Sequence, residues 1–285
     1  MNILPPLGLL LDVDGPIASP VTRTIAIASI VSDLVTLANL GVPVIFNTGR
    51  SDIFIRDVVV KPLLAAGLSP DARVYGVCEK GAVWFGATMK NFSGINIDES
   101  VAIAPEIVEE LRALLEDRFA ATMFWDFTKR AMVSVEQRTD VDSAAYLADQ
   151  KLFDDSAFAI FERHGVGVVL GDRRSAGEVT VRIDPTIIST DIESVTLGKD
   201  LGAERGLELL RASGELPLSW RTVGDSRTDY AMADYLHAQG FDVAHIDVRP
   251  ADGIPVTPYR VITEGELIHD EAGAAFLAYW VRELS

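Results

Sequence analysis

A chain of 285 residues with 48% apolar side chains can hold one large domain or two smaller ones, with ample material for a buried core. Its net charge of −17 argues against a nucleic-acid or anionic-membrane partner, because both need an excess of Lys and Arg. A solitary Cys78 leaves no intrachain disulfide and no thiolate metal cluster, and it fits a reducing cytoplasm. The short apolar run near the N-terminus is interrupted by Pro5, Pro6, Asp12 and Asp14, unlike a signal peptide, and no stretch reaches the length of a membrane span. A cytoplasmic protein is expected.

Leu7 to Val13 is a continuous apolar run ending in acid, the pattern of a strand buried on both faces whose C-terminal end opens onto a site. Thr24 to Leu40 puts Ile27, Ile30, Val31, Leu34, Leu37 and Ala38 on one stripe and stops at Gly41, which predicts a helix. Val42 to Phe46 repeats the strand pattern, a helix covers roughly Asp52 to Ala66, and Val74 to Val77 is a third short strand. Such alternation marks a parallel α/β sheet. From about Val83 to Val195 the rhythm changes: longer helices (Glu106 to Phe119, Asp142 to Arg163) alternate with half-polar strands such as Ala131 to Gln137 and Val179 to Ile183. The α/β rhythm then returns with a helix over Ala203 to Ala212, a strand at Arg221 to Val223, a helix from Arg227 to Gln239, a strand at Val243 to Asp247 and a closing helix from Glu271 to Glu283. The predicted fold class is α/β: a parallel-sheet core from residues 1–82 and 197–285, carrying an inserted α+β cap from residues 83–196.

Four short segments carry chemistry: DVDG at Asp12 to Gly15, NTGR at Asn47 to Arg50, Lys199, and GDSRTD at Gly224 to Asp229. Asp12 stands at a strand end, where open parallel sheets bind ligands. A carboxylate there can attack phosphorus once a cation suppresses its repulsion with the anionic substrate. Asp14, two residues on in an extended backbone, points to the same side and can protonate the leaving oxygen and later activate water. Alone, this segment reads equally as an acidic turn. Thr48 and Gly49 follow the second strand at the matching position, where a hydroxyl and backbone N–H groups can hold a phosphoryl oxygen; alone the segment is a weak signal, since Ser and Thr at strand ends more often cap the next helix. Asp225 with Asp12 and Asp14 makes a hard oxygen cage suited to Mg²⁺. Asp229 sits near a helix N-terminus, where acids are favoured in any case. Lys199 can neutralise Asp12 and the transferring phosphoryl group, and Arg205 is the rival cation. His164, His237, His245 and His269 are scattered without metal-ligand spacing.

Together these residues resemble the haloacid dehalogenase (HAD) superfamily in its phosphatase branch, whose pattern is DxDG early, Ser or Thr after the second strand, Lys before a late helix and GDxxxD near the end. The resemblance implies a Rossmann-like core, Mg²⁺ as cofactor, Asp12 as nucleophile, Asp14 as general acid/base, and Thr48, Gly49 and Lys199 on the phosphate. Asp12, Asp225 and the Asp14 carbonyl would then hold the metal, and Asp229 would orient its ligands. CEKGAVWF at Cys78 to Phe85 is similar to the E-N-G-A junction of members with a large α/β cap between the second and third motifs. KRAMVSVEQR at Lys129 to Arg138 looks like the K-x-x-x-L-x-V-H-Y-R strand of sugar-phosphatase caps, including those of trehalose-6-phosphate phosphatases, with Glu178 as the matching sugar-binding acid. Arg50, Lys129, Arg130, Glu178 and Arg182 are candidate substrate contacts; Arg50 reads equally as a surface ion-pair partner, and the other four equally as a solvated sheet face. The chain departs from the pattern at Pro16, which removes a backbone N–H beside the phosphate, at Thr228 where Asn is frequent, and after Lys199, where the usual Gly-x-Ala-Leu fits the residues following Arg205 better.

The expected activity is a Mg²⁺-dependent phosphomonoester hydrolase acting on a small phosphorylated metabolite, a sugar phosphate, through an aspartyl-phosphate. A phosphomutase of the same fold and a catalytically silent binding module are the alternatives; neither nucleic acid nor membrane is an expected partner. Nothing in the sequence fixes an oligomeric state.

Overall fold

The computed structural model describes residues 5–88, 90 and 94–285. The chain divides into two compact units, one running to Asn96 and resuming at Gly198–Ser285, the other formed by Ile97–Leu197. In chain order the strands are β1 (Gly8–Leu11), β2 (Val44–Asn47), β3 (Val74–Cys78), β4 (Val83–Gly86), β5 (Asn96–Ile97), β6 (Met123–Trp125), β7 (Val133–Gln137), β8 (Gly167–Leu170), β9 (Arg173–Arg174), β10 (Val179–Pro185), β11 (Ser189–Ser194), β12 (Ser219–Gly224), β13 (Asp242–Asp247) and β14 (Arg260–Ile262). The helices are α1 (Ala28–Asn39), α2 (Asp52–Phe54), α3 (Lys61–Ala65), α4 (Pro105–Arg118), α5 (Ser143–Arg163), α6 (Lys199–Ser213), α7 (Tyr230–Ala238) and α8 (His269–Leu284), with a π-helical stretch, Ile55–Val60, joining α2 to α3.

The first unit is built on an eight-stranded sheet in the order β14-β13-β12-β1-β2-β3-β4-β5. From β14 to β3 every neighbouring pair is parallel. β1 and β2 are buried along their whole length, which is why they read as unbroken apolar runs. On one face Leu10, Ile45, Tyr75 and Val77 pack against Ala203, Leu207 and Leu210 of α6 and Met232, Ala233 and Leu236 of α7; α1 packs on α8. The sequence expectation of a boundary after residue 82 does not match the division at Asn96. β4 turns back antiparallel onto β3, with Val77 opposite Trp84, and buries Val83 and Phe85, so these residues complete the first unit's sheet.

Behind the site this unit buries a titratable group. His245 on β13 is fully buried, shares a 2.7 Å hydrogen bond with the Thr222 hydroxyl, and packs its ring 4.1 Å from that of Tyr230. Burial pushes its pKa down to about 4. Because the unfolded chain protonates this imidazole near the ordinary value of about 6.5, the folded state binds fewer protons between those two values. Its stability is complete above that window and falls as pH drops through it, by on the order of 3 kcal/mol for this group alone. Urea unfolding at pH 7 and pH 4.5 should show His245→Asn losing less stability on acidification than wild type; equal losses would exclude His245 as the source.

The second unit has a six-stranded sheet, β6-β7-β11-β10-β8-β9, antiparallel except for the β10–β8 pair. One face is covered by α4 and α5: Leu111, Leu115, Phe153, Phe158 and Phe161 pack against Val133, Val135, Val181, Ile183 and Ile192. The polar residues between them give these strands their half-polar reading. β11, with the sequence STDIES, was not expected because Ile192 is its one apolar residue. The Asp142 carboxylate caps α5 by accepting from the Ala144 amide at 2.8 Å. Among the described residues, no helix is long and apolar enough to cross a membrane.

Candidate active site

Two neighbouring strands deliver the acids. β1 and β12 run parallel with Leu11 opposite Val223, and the Asp12 amide donates to the Val223 carbonyl at 2.8 Å, so Asp12 and Asp225 emerge side by side at the C-terminal edge. The turn after Asp12 must come close: Gly15 has φ +96°, and a Cβ there would lie 2.8 Å from Asp225 Cγ. Only glycine satisfies both conditions without displacement. Pro16 follows inside a turn closed by Gly15 N–H to Ala18 O at 2.9 Å and Ala18 N–H to Val13 O at 2.7 Å.

Lys199 opens α6 and is buried. Its ammonium lies 2.7 Å from Asp12 Oδ1 and 2.6 Å from Asp229 Oδ1, and donates to the Asn47 carbonyl at 2.9 Å, so all three donors are used. Asn47 returns the contact, donating Nδ2 to the Lys199 carbonyl at 2.8 Å. This requires α6 to lie almost on β2. Gly202 permits it: a Cβ there would stand 2.0 Å from Asn47 Oδ1, and one on Gly206, a turn later, 2.7 Å from Ile45 Cδ1. Arg205 is elsewhere, stacked 4.2 Å over the Trp84 ring and paired with Glu208 at 3.0 Å.

Asp229 is fully buried and organises the turn after β12. Its Oδ2 accepts from the Asp225 amide at 3.1 Å, the Ser226 amide at 2.9 Å and the Ser226 hydroxyl at 2.8 Å. Asp12, Asp225 and Asp229 each place one carboxylate oxygen within 4.8 Å of the others. The electrostatics reflect one ammonium among several acids. Burial, with the charges of Asp229 and Asp14, outweighs Lys199 and pushes Asp12 up to about 8. Burial and Asp229 also raise Asp225. Burial would raise Asp229 too, but Lys199 and the Ser226 donors hold it below the usual carboxylate range. Burial alone would lower Lys199, yet its two carboxylate partners raise it. A crowded set of hard oxygens, in which Asp12 and Asp225 resist ionisation for lack of positive charge, fits Mg²⁺. With both Asp229 oxygens already engaged, Asp12 and Asp225 are the carboxylates suited to direct ligation, and Asp229 to orienting them.

Asp14 is not one of those three carboxylates, although its charge reaches Asp12. Its carboxylate takes two parallel hydrogen bonds from Arg50, Nε to Oδ2 at 2.8 Å and Nη2 to Oδ1 at 2.9 Å, and Arg50 also stacks 4.8 Å over Phe54. The metal set that the resemblance implies draws on the Asp14 carbonyl rather than its carboxylate, and Asp229, expected to orient the metal's ligands, belongs to the group of three carboxylates. Thr48 is buried, and its hydroxyl oxygen accepts from the Arg50 amide at 3.1 Å. Sequence reasoning gave no separate role to Asn47, within the second segment, nor to His269, whose Nδ1 lies 3.8 Å from Asp225 Oδ2. The Gly202 and Gly206 pair was the available signal for α6, since two glycines one turn apart mark a close helix approach.

The other expected contacts lie in the second unit. Arg182 donates to the buried Glu193 carboxylate at 2.8 Å and to the Leu197 carbonyl at 2.6 Å, which commits most of its donors within the unit. Glu178 is exposed just before β10, and Lys129 is half-buried in the loop between β6 and β7, where its amide donates to the Asp126 carbonyl at 3.4 Å; Arg130 beside it is exposed.

No protein-family model matches the sequence, and no curated protein is significantly similar to it. Solved structures are similar over nearly the whole chain. The C-terminal domain of a trehalose-6-phosphate phosphatase from C. albicans aligns with a TM-score of 0.67 at 13% identity, covering 98% of this chain and 93% of that one. A haloacid dehalogenase-like hydrolase from Bacteroides thetaiotaomicron gives 0.63 at 10% identity, over 96% and 98%. The sucrose-phosphatase of Synechocystis sp. PCC6803, solved with sucrose and phosphate, gives 0.50 at 14%, over 96% and 98%. At these identities the likeness is one of fold.

Proposed function

We propose that this chain, which has the fold of the HAD-superfamily phosphatases, hydrolyses a phosphate monoester of a small metabolite, a sugar phosphate, with Mg²⁺ as cofactor and an aspartyl-phosphate on Asp12 as intermediate. The observation that carries the reading is the Asp12 carboxylate held 2.7 Å from a buried ammonium, with Asp225 beside it at the C-terminal edge of the sheet. That is the environment a carboxylate needs to act as a nucleophile toward an anion. A trehalose-6-phosphate phosphatase and a sucrose-phosphatase among the structural neighbours support the sugar class.

Mg²⁺, when bound by Asp12 and Asp225, supplies positive charge to the phosphoryl oxygens. The chain's residues do the rest. An Asp12 oxygen bonds to phosphorus as the ester P–O bond breaks, and protonated Asp14 gives its proton to the departing alkoxide. For this the Asp14–Arg50 pair opens. Lys199, with its three donors engaged, acts on the phosphoryl group through its charge beside Asp12, and the Thr48 and Gly49 loop holds the phosphoryl oxygens. In the second half a water oxygen bonds to phosphorus, Asp14 takes the water's proton, and the P–O bond to Asp12 breaks to release orthophosphate and restore both acids.

The test is orthophosphate release from a panel of sugar and nucleotide monophosphates, with Mg²⁺ or with EDTA. The expected result is release that needs the metal and favours sugar phosphates by at least about tenfold, a margin one good polar contact supplies. Release from no compound by folded, Mg²⁺-loaded protein would overturn the reading.

A further inference from the structure

The second unit holds a cavity of its own, of about 280 Å³. One side is a stripe of α5 on which Leu147, Gln150 and Asp154 follow each other at helical spacing; the other is formed by Leu170 and Pro185, the last residues of β8 and β10. Leu147, Leu170 and Pro185 give it an apolar wall. Gln150 and Asp154 border it with polar atoms, yet these two side chains are only 5% and 4% exposed.

A chain of hydrogen bonds fixes both side chains, and its acceptors give its direction. Gln150 Nε2 lies 2.9 Å from the Thr186 carbonyl and 2.9 Å from the Ser189 carbonyl. Carbonyls only accept, so the amide nitrogen belongs on that side and Oε1 on the other. Nε2 also lies 3.1 Å from Thr190 Oγ1, and the Thr190 hydroxyl gives its one proton to Asp154 Oδ1 at 2.8 Å. Two acceptors are left over. Among the described residues, neither Gln150 Oε1 nor Asp154 Oδ2 receives a hydrogen bond, and the cavity is the space that both side chains border. A buried acceptor without a donor is costly, the more so on a carboxylate. The neighbouring cations are engaged next door: Lys151, largely exposed, pairs with Asp155 at 3.0 Å, and Arg173 reaches the same carboxylate at 3.4 Å. Burial pushes Asp154 up to about 6, which still leaves it largely ionised at neutral pH.

We propose that this cavity binds a small aliphatic amine: the ammonium donates to Asp154 Oδ2 and Gln150 Oε1, and the hydrocarbon chain lies against Leu147, Leu170 and Pro185. The ligand class follows from the acceptors and the wall together. An ammonium has donors for both oxygens and a charge for the carboxylate, whereas an alcohol has a single proton to give. A bare metal ion would leave the apolar wall and most of the volume unused. The site is built from the second unit alone and stands apart from the phosphatase reading.

The probe is n-butylammonium, titrated into the full chain at neutral pH and followed by protein amide chemical shifts, with n-butanol and potassium chloride in parallel and thermal unfolding of each variant. Wild type should bind the amine with a dissociation constant of about 1 mM or tighter, within reach of a ligand this small. Asp154→Asn keeps an acceptor for Thr190 and loses the charge; its affinity should fall about tenfold or more, and it should melt no lower than wild type because a buried charge is gone. Leu147→Trp, on the exposed rim, should weaken binding without touching the hydrogen-bond chain. No binding of n-butylammonium by folded wild type would overturn the proposal, as would Asp154→Asn binding it within about twofold of wild type, a margin too small for a lost charge. Equal affinity for n-butanol would reduce the site to an apolar cavity, and full displacement of the amine by equimolar potassium would make it an inorganic-ion site; either overturns the amine assignment.

Discussion

Lys199→Met is expected to unfold at markedly lower urea and to release no measurable phosphate. The ammonium has three partners, Asp12, Asp229 and the Asn47 carbonyl, and is itself buried. Methionine fills much of the same volume, so the loss is chiefly of charge. Removing one member of a buried ionic group strands the others without compensation, at a cost of roughly 3–5 kcal/mol. Asp12, already pushed up to about 8, can take a proton and relieve part of that cost at neutral pH, and the deficit should therefore widen as pH rises. Activity should fall by at least about a thousandfold, because Lys199 is the charge nearest the nucleophile. Lys199→Arg should not rescue it: a planar guanidinium cannot reproduce the three converging hydrogen bonds of a compact ammonium. A Lys199→Met protein within 1 kcal/mol of wild type by urea titration would mean that the carboxylates find their compensation elsewhere.

Asp12→Asn is expected to separate activity from stability. Turnover should drop at least about a thousandfold, since the amide offers phosphorus no comparable nucleophile. Stability should move the other way. Burial and the neighbouring charges resist ionisation of Asp12, so for this group the folded metal-free state binds more protons than the unfolded one across the interval from the ordinary carboxylate pKa to about 8. Its contribution to stability falls as pH rises through that interval. The amide removes this penalty, and the metal-free variant should melt at or above the wild-type temperature at pH 8. The rise in melting temperature that Mg²⁺ gives wild type should shrink in the variant, since one ligand is gone. Melting scans with and without Mg²⁺, beside the phosphate assay, measure all three effects; turnover within tenfold of wild type would remove Asp12 from the nucleophile's place.

What the sequence makes legible depends on distance along the chain. β1 and β2 announce themselves because a strand buried on both faces is apolar throughout, and the acids and hydroxyl at their ends are local signals. That Asp12 meets Asp225 is a statement about strand neighbours, which no local pattern contains; it entered through the order of the four segments. The choice between Lys199 and Arg205 turns on which residue begins α6, and helix starts are poorly marked when, as here, Gly198 offers no side-chain cap. β4 was assigned to the wrong unit because an antiparallel return and the first strand of an insertion look alike in composition. The Lys129 to Arg138 segment resembles a sugar-binding strand, yet it says nothing of where Arg182 spends its donors. That is decided by Glu193, opposite it on β11.

The position of β1 bears on how the molecule comes into being. The strand made first lies in the middle of its sheet, between β2 and β12, and Leu11 waits for Val223 to leave the ribosome. The segment from Ile97 to Leu197, uninterrupted and with its own hydrophobic cluster, is complete long before that. During synthesis the nascent chain therefore carries an apolar β1 with one bare edge while a finished neighbour forms downstream of it, the kind of exposure that chaperones shield. Since Asp12 and Asp225 stand on opposite sides of the β1–β12 seam, the group of three carboxylates cannot assemble before β12 and the turn after it have been made.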